Sequence, residues 1–194
     1  MVLFEDFELL DAFGPLEMFG LLKEKVRIVI IGEKHGFVKS SAGPATLIET
    51  TFAENPKPDI LMIPGGRGTR RLVTNQPFLA EISKLAIGSG FVASICTGAA
   101  VLARAGLLEN KKATTNKKSY EWVTTQGDNV EWQQHARWVV DGNFFTSSGV
   151  SAGIDMALGL IAKIYGEETA RQTAALAEYQ WNSDPDNDPF AQQQ

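Results

Sequence analysis

The sequence predicts an α/β fold with a doubly wound, mostly parallel sheet and helices on both faces. Apolar runs at residues 26–32, 60–64 and 91–96 have the length of strands, and their lack of alternation is typical of strands buried on both faces. Segments with helical spacing of apolar residues separate these runs, and strands that alternate with helices predict a parallel sheet. We find no repeat or linker, so we expect one domain over residues 1–179 and a polar tail over residues 180–194.

The amino-terminal part is expected to hold a very short strand at residues 2–4, a helix, and a strand at residues 26–32. Apolar side chains at helical spacing within residues 9–22 predict a mostly buried helix. Asp11 is a residue type that caps helices well, and Pro15 fits the first turn of a helix that starts there. Asp11 is therefore either a plain helix cap or a functional acid, and this segment does not distinguish the two.

Turn signals and hydrophobic spacing predict the remaining elements. Gly43-Pro44 and Asp141-Gly142-Asn143 mark the turns of two hairpins. The predicted strands are residues 37–40, 46–50, 59–64, 112–115, 137–140 and 144–147. The predicted helices are residues 77–87, 119–125, 151–165 and 167–179. The polar tail after them is expected to pack loosely.

Composition and charge exclude several classes of protein. A net charge of −5 without a basic patch argues against a nucleic-acid partner. No apolar run approaches the roughly 18 residues that a membrane span requires, and the first residues lack the basic start of a secretory signal. A single cysteine excludes an internal disulfide and fits a reducing compartment, so we expect a cytoplasmic protein.

That cysteine, Cys96, is the leading candidate for chemistry. It ends an apolar run and precedes a helix-forming run that Gly106 terminates, so it should lie at a sharp strand-to-helix turn. Ligands bind at the carboxyl ends of strands in such sheets, and N–H groups at a helix start lower the pKa of a thiol. A lone cysteine is more often a small buried apolar residue, but this position favours a nucleophile on a thiol version of the nucleophile elbow. Gly98 is expected to let a ligand approach the backbone.

A glycine-rich loop at residues 65–68 follows a core strand. It lacks the length and the Gly-Lys-Ser/Thr ending of a phosphate loop. Glycines at the end of a core strand can turn their N–H groups toward a neighbouring site. We therefore predict that Gly65 and Gly66 line an oxyanion pocket, with the N–H groups of Gly66 and Thr97 as the donors.

Three other patterns are interpreted as coincidental. Residues 149–153 match the G-x-S-x-G serine elbow, but that triad needs a later histidine, so Ser151 is expected to cap a helix instead of attacking. Residues 184–189 resemble the start of a calcium loop, but proline stands where the loop must turn on glycine. His35, His135 and one cysteine do not make a zinc site. We predict no metal and no cofactor.

Together these segments resemble the ThiJ/PfpI superfamily, which has the class I glutamine-amidotransferase-like (flavodoxin-like) fold. The matching motifs are residues 10–17, 63–66, 95–99 and 148–155. Their order and spacing extend the resemblance over residues 2–177. Within the superfamily, the Cys-Thr-Gly elbow is most similar to isonitrile hydratases, which add water to an R–N≡C group to give an N-substituted formamide.

The resemblance implies roles for individual residues. Cys96 would be the nucleophile, Asp11 the acid beside it and Thr97 a neighbour that lines the pocket. Asn116 and Gly149 are expected to line the same pocket. The resemblance also implies a small-molecule substrate and a homodimer.

The chain departs from the family pattern in its histidines. Peptidase members have Cys-His-Gly at the elbow, where this chain has Cys96-Thr97-Gly98, and many hydratase-like members have Ala-Thr-Thr-His, where residues 113–116 read Ala-Thr-Thr-Asn. A Cys–His dyad is therefore not expected, and a peptidase activity is excluded with it. The thiolate would then depend on the helix start, backbone donors and Asp11, which we expect to be largely protonated when Cys96 is a thiolate.

Two alternatives remain open. The first is an enzyme of the glyoxalase or deglycase kind, which would act on 2-oxoaldehydes through a hemithioacetal. The second is non-enzymatic, either a ligand-sensing domain of a transcription regulator or a redox-responsive chaperone. A sensor of that kind normally carries a helix-turn-helix after the domain, and the roughly 15 residues after Tyr179 are too few to form one.

Overall fold

The strands and helices of this computed structural model, which describes residues 1–191, follow the predicted alternation. The strands are Ile31–Gly32 (β1), Gly36–Lys39 (β2), Ala45–Ile48 (β3), Thr50–Thr51 (β4), Ile60–Ile63 (β5), Phe91–Ile95 (β6), Lys112–Ala113 (β7), Glu131–Trp132 (β8), Trp138–Asp141 (β9) and Phe144–Ser147 (β10). The helices are Leu9–Gly20 (α1), Thr69–Leu72 (α2), Gln76–Gly88 (α3), Gly98–Arg104 (α4), Tyr120–Thr124 (α5), Ala152–Tyr165 (α6) and Glu167–Leu176 (α7). Within residues 1–191, none of the helices combines the length and the hydropathy needed to cross a bilayer.

A four-stranded sheet with the order β5–β6–β10–β9 forms the centre of the fold. Strand β6 pairs in parallel with β5 and β10, and β9 pairs antiparallel with β10. The register places Ile63 opposite Ser94 and Ser147 opposite Ile95, so the three parallel strands end side by side. The segments that follow these strands therefore meet at one edge of the sheet.

Helices cover the sheet in two separate groups. Helix α6 packs against α1, α7 and β10, whereas α4 packs against α2, α3, α5 and β6. Most strand residues between the two groups are apolar, and Leu61, Val92, Ala93 and Phe145 are at most 1% exposed. Burial on both faces explains why these strands appear as continuous apolar runs in the sequence. The doubly wound, mostly parallel sheet is confirmed.

Both hairpins and the helix predicted at residues 77–87 are confirmed. Strands β2 and β3 pair antiparallel, and β9 and β10 do so around Gly142, whose φ is +60°. Helix α3 is capped by Asn75, which accepts a hydrogen bond from the Phe78 N–H at 3.2 Å. The short helix α2 and strand β8 had no clear pattern in the sequence.

The sheet near the amino terminus differs from the prediction. Of residues 26–32, only β1 is a strand, and it pairs in parallel with β4. Residues 2–4 join the sheet through a single bridge from Val2 to Ile31. The earlier part of the 26–32 run borders a cavity of about 500 Å³, and Ile28 stays 39% exposed. Hydrophobicity predicted a buried strand here, but backbone pairing reaches only its last residues.

Helix α1 starts earlier than predicted, which changes the position of Asp11. The N-cap residue is Glu8, whose side chain makes no capping hydrogen bond, and Asp11 is the third residue of the helix. Pro15 consequently lies inside the helix and not in its first turn. A Cβ on Gly14 would lie 2.7 Å from Cγ1 of Ile154, so α1 and α6 approach closely at that point. Asp11 is therefore not a helix cap.

The carboxyl-terminal tail is polar, as expected, but it is not loosely packed. The N–H groups of Arg137 and Trp138 both donate to the Pro185 carbonyl, at 2.7 Å and 3.2 Å. Asp188 is 1% exposed and Ala191 is 7% exposed. Polar composition predicts contact with water, but Asp188 has charged partners inside the protein. The last part of the predicted tail, residues 192–194, lies outside the described residues.

Candidate active site

Cys96 lies at the predicted strand-to-helix turn, between β6 and α4. Its φ is +55°, a left-handed conformation that non-glycine residues rarely adopt without support. Its N–H donates to the Ser147 carbonyl at 3.2 Å, and its carbonyl accepts the Thr115 hydroxyl at 2.7 Å. These bonds hold the cysteine, which is 6% exposed, at the carboxyl edge of the sheet.

The glycine at the start of α4 is required by packing. A Cβ on Gly98 would collide with the Ile63 carbonyl and lie 2.9 Å from the Pro64 carbonyl oxygen. The helix therefore begins directly against the end of β5. This contact, and not the approach of a ligand, explains why position 98 is glycine.

Thr97 connects the elbow to the glycine-rich loop. Its Oγ1 accepts a hydrogen bond from the Gly66 N–H at 3.0 Å and lies 3.2 Å from Oγ1 of Thr69. The N–H and the hydroxyl of Thr97 face the Cys96 sulfur, and both act to lower the pKa of the thiol. Thr69 was missed in the sequence. The sequence feature that could have identified Thr69 is its position three residues after Gly66. From that position its hydroxyl donates to the Gly66 carbonyl at 2.7 Å.

Asp11 is fully buried and faces Cys96 from α1. Its Oδ2 accepts the Gly65 N–H at 2.9 Å, and within residues 1–191 its Oδ1 has no hydrogen-bond partner. Burial raises the pKa of Asp11 to about 8; the Gly65 N–H lowers it by less, and the charge of Glu8 raises it further. The Asp11 and Cys96 side chains are hydrogen-bonding neighbours, so a protonated Asp11 can donate its proton toward the sulfur. The acid and the cysteine expected from the resemblance thus lie together.

The N–H groups of both predicted pocket glycines, including the Gly66 N–H predicted as an oxyanion donor, already have partners. The Gly65 N–H holds Asp11, and the Gly66 N–H donates to Thr97. A Cβ on Gly65 would lie 2.6 Å from the Thr97 nitrogen and 2.8 Å from Oδ2 of Asp11, so no larger residue fits there. Gly66 has a φ of +121°, which favours glycine. The prediction of a free donor is therefore wrong for Gly66, whose N–H orients Thr97, whereas the Thr97 N–H faces the sulfur.

Asn116 and Gly149, the other two predicted pocket residues, lie near the Cys96 sulfur. A Cβ on Gly149 would collide with Nδ2 of Asn116 and lie 2.8 Å from the Cys96 sulfur. The Oδ1 of Asn116 accepts the Ser119 N–H at 3.0 Å, which fixes the amide so that its Nδ2 is directed toward Gly149. The place that histidine takes in many hydratase-like proteins is thus filled by an amide that can donate but cannot act as a base.

A family model confirms the resemblance that the motifs suggested. The model is described as the DJ-1/PfpI family, and it matches residues 1–163. The chain belongs to the DJ-1/PfpI family. An isonitrile hydratase from Pseudomonas putida is 35% identical to it over 178 residues, which cover 92% of this chain and 76% of the relative. A deglycase from Pyrococcus horikoshii is 32% identical over 146 residues, which cover 74% of this chain and 83% of the relative.

Solved structures show the same fold. A ThiJ/PfpI family protein from Pseudomonas syringae has a TM-score of 0.81 at 29% identity, and the match covers 95% of this chain and 75% of that one. Drosophila melanogaster DJ-1beta has a TM-score of 0.79 at 23% identity, with 93% and 96% covered. The second likeness concerns the fold alone.

This DJ-1/PfpI chain has no histidine at the site. The Nε2 of His35 lies 3.2 Å from Oε2 of Glu54, and both side chains are exposed. His135 is exposed and precedes β9, where its carbonyl accepts the Asp188 N–H at 2.8 Å. No group of three or more metal-ligating side chains occurs within residues 1–191. The polar side chains described around the Cys96 sulfur are therefore those of Asp11, Thr97 and Asn116.

The pKa of the thiol differs from the prediction. Burial raises the pKa of Cys96 well above its ordinary value, the charge of Asp11 raises it further, and the two donors of Thr97 lower it only in part. The prediction counted the donors at the helix start and left out the loss of water around the sulfur. Burial therefore favours the protonated form of both Cys96 and Asp11.

Alkylation of Cys96 should therefore be slow at neutral pH. We expect the rate of iodoacetamide labelling to rise with pH and to show no inflection below about 8.5, the ordinary value for a cysteine thiol. Mass spectrometry of protein labelled between pH 6 and 10 measures this, with Cys96→Ser as the unlabelled control. An inflection near pH 6 would mean that the donors of Thr97 outweigh burial.

Ser151 provides a further test of the site. It occupies the N-cap position of α6, but its hydroxyl makes no capping hydrogen bond, so the predicted cap is confirmed in position only. We expect Ser151→Ala to change activity by less than about twofold. The free energy of unfolding should change by less than about 0.5 kcal/mol, because no capping hydrogen bond is lost. Steady-state kinetics and thermal unfolding check this. Covalent labelling of Ser151 by a phosphonate reagent, with loss of activity, would instead identify a serine nucleophile.

Proposed function

We propose that this chain hydrates isonitriles to N-substituted formamides, with Cys96 as the nucleophile and Asp11 as the proton donor. The observation that supports this most is the buried pair of the Cys96 thiol and the Asp11 carboxyl, in which burial raises the pKa of both groups. The pair occurs in a DJ-1/PfpI chain that is 35% identical to an isonitrile hydratase over 92% of its length. A site that keeps both protons suits an addition in which sulfur and a proton reach the same carbon.

The first step adds the thiol to the terminal carbon of the isonitrile. The sulfur of Cys96 forms a C–S bond to that carbon, Asp11 gives its proton to the same carbon, and the thiol proton passes to Asp11. The product is the thioimidate R–N=CH–S on Cys96. Because the protons move within a buried pair, no free thiolate has to persist in a site with little water.

Water completes the reaction. Its oxygen bonds to the thioimidate carbon, one of its protons ends on the nitrogen, and the C–S bond then breaks. The other proton returns to sulfur, and R–NH–CHO leaves. Asp11 is placed to carry these protons because its Oδ2 is held by Gly65, whereas Oδ1 has no hydrogen-bond partner within residues 1–191.

Thr97 and Asn116 would stabilise the sulfur and orient the substrate. The N–H and hydroxyl of Thr97 face the sulfur, so they can stabilise charge that builds up there as the C–S bond breaks. The Nδ2 of Asn116 is directed toward Gly149 beside the sulfur and can donate to the substrate nitrogen or to the attacking water.

A second candidate activity is the conversion of 2-oxoaldehydes. The similarity to a deglycase, at 32% identity over 74% of this chain, favours it. In that case the sulfur of Cys96 would add to an aldehyde carbon and the aldehyde oxygen would take a proton, which gives a hemithioacetal. Asp11 could supply that proton from the same position.

One substrate panel separates the two activities. Purified protein is incubated with an alkyl isonitrile, an aryl isonitrile and methylglyoxal without added glutathione, and products are identified by NMR and mass spectrometry. We expect the formamide from at least one isonitrile and its loss in Cys96→Ser. Turnover of methylglyoxal without any formamide would reject isonitrile hydration and support the second candidate.

We also propose that the chain forms a homodimer, as the resemblance implies. Apolar side chains are exposed on α1 and on the β2–β3 hairpin, where Leu10, Phe13, Phe37 and Leu47 are 42%, 42%, 75% and 47% exposed. Phe7 links the two elements, because its carbonyl accepts the Ser41 N–H at 2.8 Å and its ring packs near Phe13. Sedimentation analysis of the protein and of a Phe37→Glu variant would test whether this patch pairs two copies.

A further inference from the structure

A cluster of buried charges lies outside the proposed chemistry. It consists of Lys117, Arg137, Asp155 and Asp188, whose side chains are 4%, 7%, 0% and 0% exposed. Charged side chains are rarely buried this completely, because removing them from water is costly unless partners compensate. We call this group the buried charge cluster.

The centre of the cluster joins Arg137 to two carboxylates. The Nε and Nη2 atoms of Arg137 lie 2.7 Å and 2.6 Å from Oδ2 of Asp155. The Nη1 atom of Arg137 lies 3.8 Å from Oδ1 of Asp188. Asp188 also lies 4.0 Å from Nζ of Lys117. Four different parts of the chain thus meet here: the turn after Asn116, the residue before β9, the first turn of α6 and the carboxyl-terminal segment.

The cluster fastens residues 179–191 to the rest of the protein. Oδ1 of Asp155 accepts the Tyr179 hydroxyl and the Asn182 N–H, both at 3.0 Å. The Asp188 N–H donates to the His135 carbonyl at 2.8 Å. The segment is therefore held at both of its ends, although its composition is that of a solvated tail.

One side of the cluster leads to Asn116, which lies beside Gly149 and near the Cys96 sulfur. Lys117 follows Asn116, and its Nζ donates to Oγ1 of Thr114 at 2.9 Å and to the Ala136 carbonyl at 2.6 Å. These contacts fix the short loop that carries the Asn116 amide. Asp188 faces the same ammonium group, so the carboxyl-terminal segment is one of the elements that hold this loop.

The other side of the cluster leads to Gly149. The Arg137 carbonyl accepts the Ser148 N–H at 2.8 Å. Ser148 is followed by Gly149, which lies against the Cys96 sulfur. Asp155 in turn fixes the Arg137 guanidinium from α6, the helix that begins just after this loop.

We propose that residues 179–191 act as a clamp that fixes Asn116 and Gly149 beside the Cys96 sulfur, with Asp188 as its principal positioning residue. Asp188 touches neither the sulfur nor the proposed substrate position, and it acts through Lys117 and Arg137. Buried ion pairs suit such a role because, in some proteins, they specify one arrangement of their neighbours while adding little stability. The clamp limits how far the two loops can separate, and it thereby sets the size of group that reaches the sulfur.

The test compares Asp188→Asn with the matched control Asp186→Asn, which removes an exposed carboxylate two residues away. Cys96 is labelled with iodoacetamide and with a bulky aryl maleimide, and the ratio of the two rates is measured. In Asp188→Asn we expect the maleimide to gain about tenfold relative to iodoacetamide, because small displacements of pocket walls change access strongly. Global loosening would raise both rates together, and an unchanged ratio in a folded Asp188→Asn would overturn the clamp.

The kinetic arm of the test depends on the proposed isonitrile hydration, whereas the labelling arm does not. With an isonitrile substrate we expect Asp188→Asn to raise KM by about five- to tenfold and to change kcat less, because the chemistry at Cys96 and Asp11 is intact. If the wild-type protein forms no formamide, that failure concerns the proposed function, and the labelling ratio still decides on the clamp. If Asp188→Asn does not fold, Tyr179→Phe serves as a second variant, because it removes one hydrogen bond to Asp155. An unchanged labelling ratio in Tyr179→Phe would overturn the proposal.

Discussion

Replacing Cys96 with serine is expected to lower isonitrile turnover by at least about 10³-fold and to leave the fold intact. Serine has nearly the same shape and keeps the backbone bonds to Ser147 and Thr115 that hold the elbow. A hydroxyl is a much weaker acid than a thiol, and the site has no histidine to activate it. The loss should therefore appear in kcat, because the walls of the pocket do not change.

Steady-state kinetics on matched preparations of wild type, Cys96→Ser and Ser151→Ala measure this effect. Thermal unfolding of the same samples shows whether the elbow is still formed. Ser151→Ala is the control, because it removes a neighbouring serine hydroxyl from the same edge of the sheet and leaves the thiol in place. If Cys96→Ser kept more than about a tenth of wild-type turnover, Cys96 would not be the nucleophile.

Replacing Asp11 with asparagine is expected to cut turnover by about 10²- to 10⁴-fold, the usual range for the loss of a positioned acid. The amide oxygen can still accept the Gly65 N–H, and the amide NH₂ can still donate to the Cys96 sulfur. Only the transferable proton is lost, so the labelling rate of Cys96 should change far less than turnover. Wild-type turnover in a folded Asp11→Asn protein would leave Asp11 with a structural role alone.

The same substitution has a separate effect on stability that depends on pH. Burial raises the pKa of Asp11 from 3.8 to about 8 in the folded protein. Between these values the unfolded chain releases this proton and the folded chain keeps it, so the Asp11 contribution to the free energy of unfolding falls as pH rises from about 4 to about 8. Asparagine does not titrate. We therefore expect Asp11→Asn to be close to wild type near pH 4 and increasingly more stable than wild type toward pH 8.

Denaturant unfolding of both proteins at several pH values tests this difference. Other groups titrate in the same window, and the Met1 amino group, whose pKa burial lowers to about 5, acts in the opposite direction. Because the Met1 amino group is the same in both proteins, its effect cancels in the difference between their free energies of unfolding. That difference therefore isolates the contribution of Asp11. A difference that stayed constant from pH 4 to pH 8 would mean that the Asp11 carboxyl ionises normally in the folded state.

Sequence patterns were sufficient for the features of this protein that depend on neighbours along the chain. The apolar runs that end at Ile63 and Ile95 predicted buried parallel strands, because a strand covered by helices on both faces has no polar side. The same reasoning placed Cys96 at a strand end. Parallel strands bring their carboxyl ends to one edge, so Gly65 and Gly149 could also be expected near it.

Only the tertiary structure decided what Asp11 does. Its sequence context is equally suited to a helix cap, but α1 begins at Leu9 and the Asp11 side chain bonds to Gly65, 54 residues away. No local pattern encodes that bond. The raised pKa values of Asp11 and Cys96 follow from burial by the whole fold, which outweighs the donors at the helix start that the sequence suggested.

The carboxyl-terminal segment shows the same limit. Its aspartates, prolines and asparagines predict a solvated tail, and Asp184 and Asp186 are exposed. Asp188 is buried because Lys117 and Arg137, more than 50 residues earlier in the chain, present their charges where the segment passes. Local composition determined which residues could form strands, helices and the elbow at Cys96. Contacts between distant residues determined which carboxyl groups lose their water, and this loss sets both the protonation of the candidate site and the packing of the tail.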